Sequence, residues 1–468
     1  MNLKVEKNKN MEETSAKDIA KIYKKQRTFF AYQETKSIDF RLHQLKKLKE
    51  AILQYENKVN EALWRDLHKS KEEAFLTETS LLIEELNYHI KNLKSWAKPK
   101  KVGTPLQIKP SHSKIYFEPL GIGLIIAPWN YPFQLTLNPL IGAISAGCCA
   151  VLKPSPDTPN VAQVIEEMIS EYFPPEYITV VQGGKDANQE LFKFPFDIMF
   201  FTGSPTVGKI VMKAAAEHLS RVVLELGGKS PCIVNKDANL KIAGKRIAWG
   251  KIMNAGQTCI APDYLLVHKE VKKDLLAEIS KAFEEMLGEN IANSNYYGRI
   301  VTPSAMNRLK KYLKGDIYYG GKIDLEKKYI EPTILNNIDP EDEIMQEEIF
   351  GPILPVMEFG ELIEAISYIN GNEKPLALYY FGKDKTAKRV LRETSSGGAC
   401  INDTLIHVAN HKLPFGGVGN SGMGKYHGKE SYLAFTHERG VVNSSTKLDI
   451  PLKYPPYKFF GVIKKIVG

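Results

Sequence analysis

The sequence predicts a two-domain α/β protein built on parallel sheets, and three observations predict it. Short β-rich runs alternate with helical patterns from Gly123 to Leu224, a second alternating series runs from near Pro231 to about Pro414, and an amphipathic helical stretch precedes both. Strands and helices alternating at this spacing form parallel sheets covered on both faces, with a nucleotide-binding α/β domain as the leading class. The 468 residues, 43% hydrophobic, 25% charged and 10% aromatic, are those of an ordinary globular protein with a core large enough for two or three domains.

From Phe40 to Trp96 the apolar residues Leu45, Leu48, Ile52, Val59 and Leu63, then Leu82, Leu86 and Leu93, recur at three- and four-residue steps, as in helices packed on one face. Leu120 to Leu152 then carries no charge and is longer than the ~20 residues a membrane span needs. Pro128, Pro132 and Pro139 interrupt a continuous helix, and Asn130, Gln134 and Asn138 would take unsatisfied polar groups into lipid. The run is therefore read as a strand from Gly123 to Ala127, a turn, and a buried helix reaching Ala146. Strands at Ala150 to Leu152, Ile178 to Val181, Ile198 to Phe201 and Val222 to Leu224 follow, with helices to Tyr172 and from Pro205 to Leu219 between them. The second series has helices from Asp237 to Asn254, Val271 to Leu287 and Glu361 to Ile369. Val102 to Phe117 and Gly422 to Thr446 fit neither series and read as extended connections, candidates for strands that pair across a subunit interface.

The net charge of +9 sits at the ends of the chain. Residues 1–27 hold eight Lys/Arg against four Asp/Glu and residues 447–468 hold five Lys against one Asp, so the stretch between is only +1. A nucleic-acid-binding face on the fold is not expected. In the tail, Tyr454, Tyr457, Phe459, Phe460, Val462, Ile463, Ile466 and Val467 interleave with Lys458, Lys464 and Lys465, a mixture suited to weak contact with an anionic membrane surface. Five cysteines without a secretory pattern at the N-terminus point to reduced thiols and a cytoplasmic protein.

Phe200-Phe201-Thr202-Gly203-Ser204-Pro205-Thr206-Val207-Gly208-Lys209 places two glycines where a strand passes into a helix, a geometry suited to a dinucleotide pyrophosphate on a helix N-terminus. Among the cysteines, Cys148 and Cys149 lie in the apolar run, Cys232 follows a proline in a strand and Cys400 lies among Gly and Ala, all readable as small buried hydrophobes. Cys259 differs, because Asn254-Ala255-Gly256-Gln257-Thr258-Cys259 is a polar, glycine-containing turn of the kind that displays reactive groups. Spacing alone does not identify a general base. No H-E-x-x-H occurs among the ten histidines, and His407 with His411 lies in a loop unsuited to an i, i+4 ligand pair, so no metal site is expected.

Ala127-Pro128-Trp129-Asn130, Leu152-Lys153-Pro154-Ser155, Phe201-Thr202-Gly203-Ser204, Leu224-Glu225-Leu226-Gly227-Gly228-Lys229-Ser230-Pro231, Gly256-Gln257-Thr258-Cys259, Gln346-Glu347-Glu348-Ile349-Phe350-Gly351-Pro352 and Pro414-Phe415-Gly416-Gly417 are seven segments spread in order over nearly the whole chain. In that register they resemble the aldehyde dehydrogenase superfamily. Ser-Pro-Cys after Gly-Gly-Lys and Ala-Pro-Asp-Tyr after the cysteine are similar to the class 3 branch, which includes fatty and aromatic aldehyde dehydrogenases. The resemblance implies a doubly wound Rossmann-like cofactor domain (1–101 and 119–226), a second α/β catalytic domain (227–414), a small β oligomerisation arm (102–118 and 415–446) and a basic amphipathic tail (447–468). It further implies oxidation of medium- or long-chain aliphatic or aromatic aldehydes to carboxylic acids by a homodimer using NAD or NADP.

In that scheme Cys259 is the nucleophile, the Asn130 side chain and the Cys259 backbone N–H receive the oxyanion, and Glu225 deprotonates the water that hydrolyses the thioester. Burial among Leu224, Leu226 and glycines should raise the pKa of Glu225. Gly203, Ser204 and Gly208 would face the pyrophosphate, Lys153 the adenosine ribose and Glu348 the nicotinamide ribose, with Phe350 and Trp129 near the ring. Pro156 stands where the family often has a glutamate that accepts from the ribose hydroxyls and repels a 2′-phosphate. Its absence favours acceptance of NADP beside NAD, unless Asp157 substitutes. Two rivals remain at this point: an acylating or reductive relative, against which Glu225 argues, and a catalytically idle homologue, against which Cys259, Glu225 and Asn130 together argue.

Overall fold

The computed structural model describes residues 13–449, 453–458 and 460–467. Ser15 and Ser37 cap the helices Ala16–Ala31 and Ile38–Leu67 by accepting from the Asp18 and Phe40 N–H groups. The stripe Leu45, Leu48, Ile52, Val59 and Leu63 is wholly buried, with the second helix lying against Pro132–Ala146 and Pro159–Tyr172. A π-helical turn, Phe75–Thr79, leads into the helix Ser80–Trp96.

Strands β1 (Lys100–Val102) and β2 (His112–Pro119) precede a first parallel series, β3 (Ile122–Ile126), β4 (Cys149–Lys153), β5 (Ile178–Val180), β6 (Ile198–Gly203) and β7 (Arg221–Leu226). The second series holds β8 (Pro231–Val234), β9 (Tyr264–His268), β10 (Asp316–Tyr319), the hairpin β11 (Ile323–Asp324) and β12 (Tyr329–Ile330), β13 (Thr333–Asn336), β14 (Ile353–Phe359), β15 (Ala377–Phe381) and β16 (Gly398–Ile401). Near the end of the chain come β17 (Gly422–Met423) and β18 (Thr436–Asn443).

These strands form a six-stranded sheet in the order β17-β7-β6-β3-β4-β5 and a seven-stranded sheet in the order β10-β13-β14-β9-β8-β15-β16. Each is parallel except for one antiparallel edge strand, β17 or β10. All residues of β3 and β4 are buried, as expected of β-branched and aliphatic runs covered by helices on both faces. In the first sheet β3 is flanked by β4 on one side and β6 on the other, so the winding reverses there. Ligands in such sheets bind outside the C-terminal strand ends, where Asn130, Lys153, Gly203 and Glu225 all stand. Helix Pro132–Ala146 runs through Pro139 without ending, its fifteen residues all buried.

The arm is narrower than its expected limits. A separate antiparallel sheet, β1-β2-β18, is the arm proper, so it takes Lys100 and Lys101 from the first unit. Most of 415–435 does not belong to it: Gly422 and Met423 pair with Glu225 and Leu224 at the edge of the first sheet, and the helix Lys429–Ala434 packs on Pro132–Ala146. The reason is glycine, since a Cβ on Gly422 would lie 2.4 Å from the Leu224 carbonyl oxygen, and only a bare backbone approaches β7 so closely.

In the tail, Phe460–Val467 is helical, and Tyr454, Tyr457, Phe460 and Val462 are exposed. Phe459 lies outside the described residues, as do the side chains of Ile463, Ile466 and Val467. No helix among the described residues is long and apolar enough to cross a membrane.

Candidate active site

The cysteine loop is built from backbone that few residues tolerate. After the helix Leu240–Ile252, Asn254, Ala255 and Gly256 take left-handed φ values of 50°, 51° and 74° in succession. A Cβ on Gly256 would lie 2.2 Å from the Gly351 carbonyl oxygen, so this glycine lets the cysteine loop touch the loop that carries Glu348 and Phe350. Gln257 locks the turn: its amide donates to the Asn254 and Arg299 carbonyls at 3.0 and 2.9 Å and accepts the Val301 N–H at 3.0 Å. Thr258 is tied to the Tyr131 hydroxyl at 2.5 Å.

Asn130 is joined to the same loop. Its Nδ2 donates to the Gln257 carbonyl at 3.1 Å, leaving its second N–H uncommitted, while its carbonyl accepts from Asn254 Nδ2 at 2.7 Å. Beneath it lies an ion pair that the sequence reading did not single out. Lys69 and Glu78 meet at 2.6 Å with both side chains wholly buried. Lys69 also donates to the Asn130 carbonyl at 3.3 Å, and Glu78 accepts the Phe133 and Gln134 N–H groups at the start of the helix that follows Asn130. Glu73 accepts the Asn254 N–H at 2.7 Å. The available signal was the break in the apolar stripe between Leu63 and Leu82, where Lys-Ser-Lys-Glu-Glu interrupts the helical period.

Two cavities meet at Cys259. One of about 260 Å³ is lined by Trp129, Asn130, Gly203, Ser204, Glu225, Glu348 and Phe350 together with the cysteine. The other, about 230 Å³, is apolar, with walls that include Leu76, Leu135, Trp249, Met253, Ile406 and Phe415. Ser204, Gly227 and Glu348 continue the first cavity into an open groove of about 760 Å³ that runs past Pro205, Thr206 and Gly228. A glycine floor beside the start of the helix Pro205–His218, where Pro205 has no N–H, Ser204 Oγ accepts the Val207 N–H at 3.4 Å and the Thr206 N–H is left for a ligand, fits a dinucleotide's pyrophosphate. Phe350 meets Trp129 edge to face with centroids 5.3 Å apart.

The remaining expected residues lie elsewhere. Lys153 is buried at the end of β4 and donates to the Pro154 carbonyl at 2.8 Å. Gly208 does not line these cavities; a Cβ there would press on Leu226 at 2.7 Å, so it sets the approach of helix to sheet. Pro156 and Asp157 are exposed beyond β4.

Burial dominates the electrostatics. It pushes the Cys259 thiol above its ordinary range, and the carboxylates of Glu348 and Glu225 push it further. Glu225 is raised well above 4.5 by burial alone, and neither of its oxygens has a hydrogen-bond partner. Glu348 is pushed up to about 8, by burial first and then Asp263, against the Gly228 N–H, Lys229 and Arg308. Among the described residues no cluster of His, Cys, Asp or Glu has the arrangement of a metal site; His407 faces the Cys400 sulfur at 3.2 Å and His411 lies 3.9 Å from Glu85.

The profile of the aldehyde dehydrogenase family matches residues 4–441. The 4,4′-diaponeurosporen-aldehyde dehydrogenase of Staphylococcus aureus is 52% identical over 436 residues, covering 92% of this chain and 95% of that protein. The dimeric NADP-preferring aldehyde dehydrogenase of Canis lupus familiaris is 44% identical over 442 residues, covering 94% of this chain and 98% of that one. Among solved structures, the substrate-bound state of Staphylococcus aureus AldH superposes with a TM-score of 0.94 at 50% identity, covering 96% of this chain and 99% of that one.

Proposed function

The chain belongs to the aldehyde dehydrogenase family, and from that premise we propose that it acts on aldehydes carried by long apolar chains, with Cys259 as nucleophile. The activity is NAD(P)-dependent: aldehyde, oxidised cofactor and water become carboxylic acid, reduced cofactor and a proton. In our reading Cys259 Sγ bonds to the carbonyl carbon, and the thiol proton, held firmly in so buried a site, passes to a carboxylate of the same cavity. The oxyanion that forms is received by the free N–H of Asn130 and the Cys259 backbone N–H. A bound nicotinamide would supply the hydride acceptor, and loss of hydride from the carbon held by Cys259 leaves it as a thioester. Glu225, buried and unpartnered, takes the proton of the water that adds to the thioester, and the Cys259 sulfur leaves. Gly203, Ser204, Glu348, Phe350 and Trp129 would hold the cofactor from the cavity walls, with Lys153 further along the strand ends. Asn130→Ala keeps the backbone contacts of residue 130 and removes the side-chain amide, both its free N–H and its bond to the Gln257 carbonyl, so kcat should fall about a hundredfold. A fall of less than about fivefold in a single-turnover assay would remove Asn130 from the oxyanion site.

The observation that carries the substrate reading is the apolar cavity lined by Cys259 together with Leu76 and Ile406, which are exposed 66% and 51%. A hydrocarbon chain longer than the cavity would continue over these side chains instead of entering water. Each buried methylene is worth about 0.8 kcal/mol, roughly fourfold in binding. Across linear saturated aldehydes, kcat/KM should therefore climb by up to about that factor per methylene and then level off. Ile406→Asp should lower it for long aldehydes and spare short ones; a flat series would point to small substrates.

The carboxyl-terminal arm supports a homodimer, because β18 pairs with β2 along one edge and none of the described strands takes the other. Light scattering giving a single-chain mass would count against it. The exposed Tyr454, Tyr457 and Phe460 beside Lys458, Lys464 and Lys465 support weak contact with anionic lipid, to be tested by co-sedimentation with anionic and neutral vesicles. Five free thiols, four of them buried, support a reducing, cytoplasmic setting.

A further inference from the structure

Pro156 leaves Lys153 without a carboxylate three residues on, but the fold brings one from the other end of the chain. Thr14 pairs with Gln182 just beyond β5: its N–H donates to the Gln182 carbonyl at 3.1 Å, and its hydroxyl accepts the Gln182 N–H at 2.9 Å. This places Glu13 over the turn Gly183–Gly184, where its Oε1 accepts the Gly184 N–H at 2.8 Å. The carboxylate lies flat on the backbone, since a Cβ on Gly183 would stand 2.4 Å from Oε1. The strand partner of this segment is β4: the Val181 N–H donates to the Leu152 carbonyl at 2.8 Å, so residues 181–184 run alongside Lys153.

The position along the sheet gives the carboxylate its meaning. Glu225 ends β7, the Gly203–Ser204 turn ends β6, and Lys153 and the 181–184 turn end β4 and β5. A dinucleotide with its reactive ring at Cys259 and its pyrophosphate at Ser204 therefore has its adenosine end directed toward β4 and β5. We propose that Glu13, from the amino-terminal segment, is the specificity-determining carboxylate of that end, favouring an unmodified ribose diol and disfavouring a 2′-phosphate. The inference rests on the family's use of NAD or NADP and adds which residue chooses between them. Glu13 is exposed and thus open to a ligand, and it supplies the anion that Pro156 does not. Burial lowers the Lys153 ammonium to about 8, and Glu13, ahead of Asp157, opposes that fall, so the amino-terminal carboxylate acts on this lysine more strongly than its near neighbour in sequence.

Glu13→Gln removes the charge and keeps an oxygen able to accept the Gly184 N–H, so it separates specificity from anchoring. The test is equilibrium binding of NAD⁺ and NADP⁺ to the full chain, read by quenching of tryptophan fluorescence without aldehyde, with Glu13→Lys as a second variant. The ratio of the NADP⁺ to the NAD⁺ dissociation constant should fall at least about fivefold in Glu13→Gln and further in Glu13→Lys. A smaller fall in both variants, with unchanged thermal unfolding, would overturn the assignment and leave Glu13 a structural anchor. Failure of the wild type to bind either dinucleotide would overturn the cofactor reading as well.

Discussion

Cys259→Ala is expected to lower aldehyde oxidation by at least about a thousandfold while leaving NAD⁺ and NADP⁺ binding within about threefold of the parent. The two halves of that result come from different walls of one cavity. The sulfur alone can form the covalent intermediate, whereas the surfaces offered to the cofactor belong to Ser204, Gly227, Glu348, Phe350 and Trp129. The loop should survive the change, because Gln257, Asn254 and Thr258 hold it and no hydrogen bond from the cysteine side chain does. The other four cysteines are the control. All are buried, and none of them lines either of the two cavities that meet at Cys259. Their single replacement by alanine should change the unfolding midpoint more than kcat. Residual turnover of Cys259→Ala within tenfold of the parent, in a stopped assay of reduced-cofactor formation, would remove the cysteine from the mechanism.

Much of this site was readable before the fold, for a reason visible in particular residues. Alternating apolar runs betray β3, β4, β6 and β7 because a strand buried on both faces leaves little freedom of composition, and the turns after those strands are where Asn130, Gly203 and Glu225 stand. Cys259 stood out because its turn is polar and carries glycine. Lys69 and Glu78 did not, since a lysine and a glutamate in a charged helical stretch look like solvated surface, and only tertiary packing makes them a buried pair holding the Asn130 loop. The same limit hid β17, two residues long, and the six-residue helix Lys429–Ala434, both too short to show a period. Glu13 was illegible for yet another reason: Gly184, whose N–H it accepts, lies 171 residues further along the chain.

Glu225→Gln should separate the two half-reactions. Acylation of Cys259 and hydride loss require the sulfur, the oxyanion donors and an acceptor for the thiol proton, for which Glu348 in the same cavity remains, while hydrolysis of the thioester requires Glu225 as its base. A rapid burst of about one reduced cofactor per active site should therefore precede a steady state slowed about a hundredfold or more. Equal loss in burst and steady state would contradict a role confined to hydrolysis, and Glu348 would be the next base to replace. The pH dependence gives a second, independent reading. Burial raises Glu225 above its ordinary 4.5, so the native state holds a proton that the unfolded chain releases between that value and the raised one. Fewer protons on the unfolded chain mean that stability falls as pH rises through this window. Glutamine carries no such proton, so the unfolding temperature of Glu225→Gln should gain on that of the parent as pH rises above about 5. The parent's steady-state rate should move the opposite way, rising with pH as the carboxylate becomes able to accept the proton of water, and the glutamine variant should lose that rise. A stability difference that stays constant between about pH 5 and pH 8 would mean that Glu225 is already ionised in the native enzyme, and its burial would then have to be offset by a partner inside the cavity.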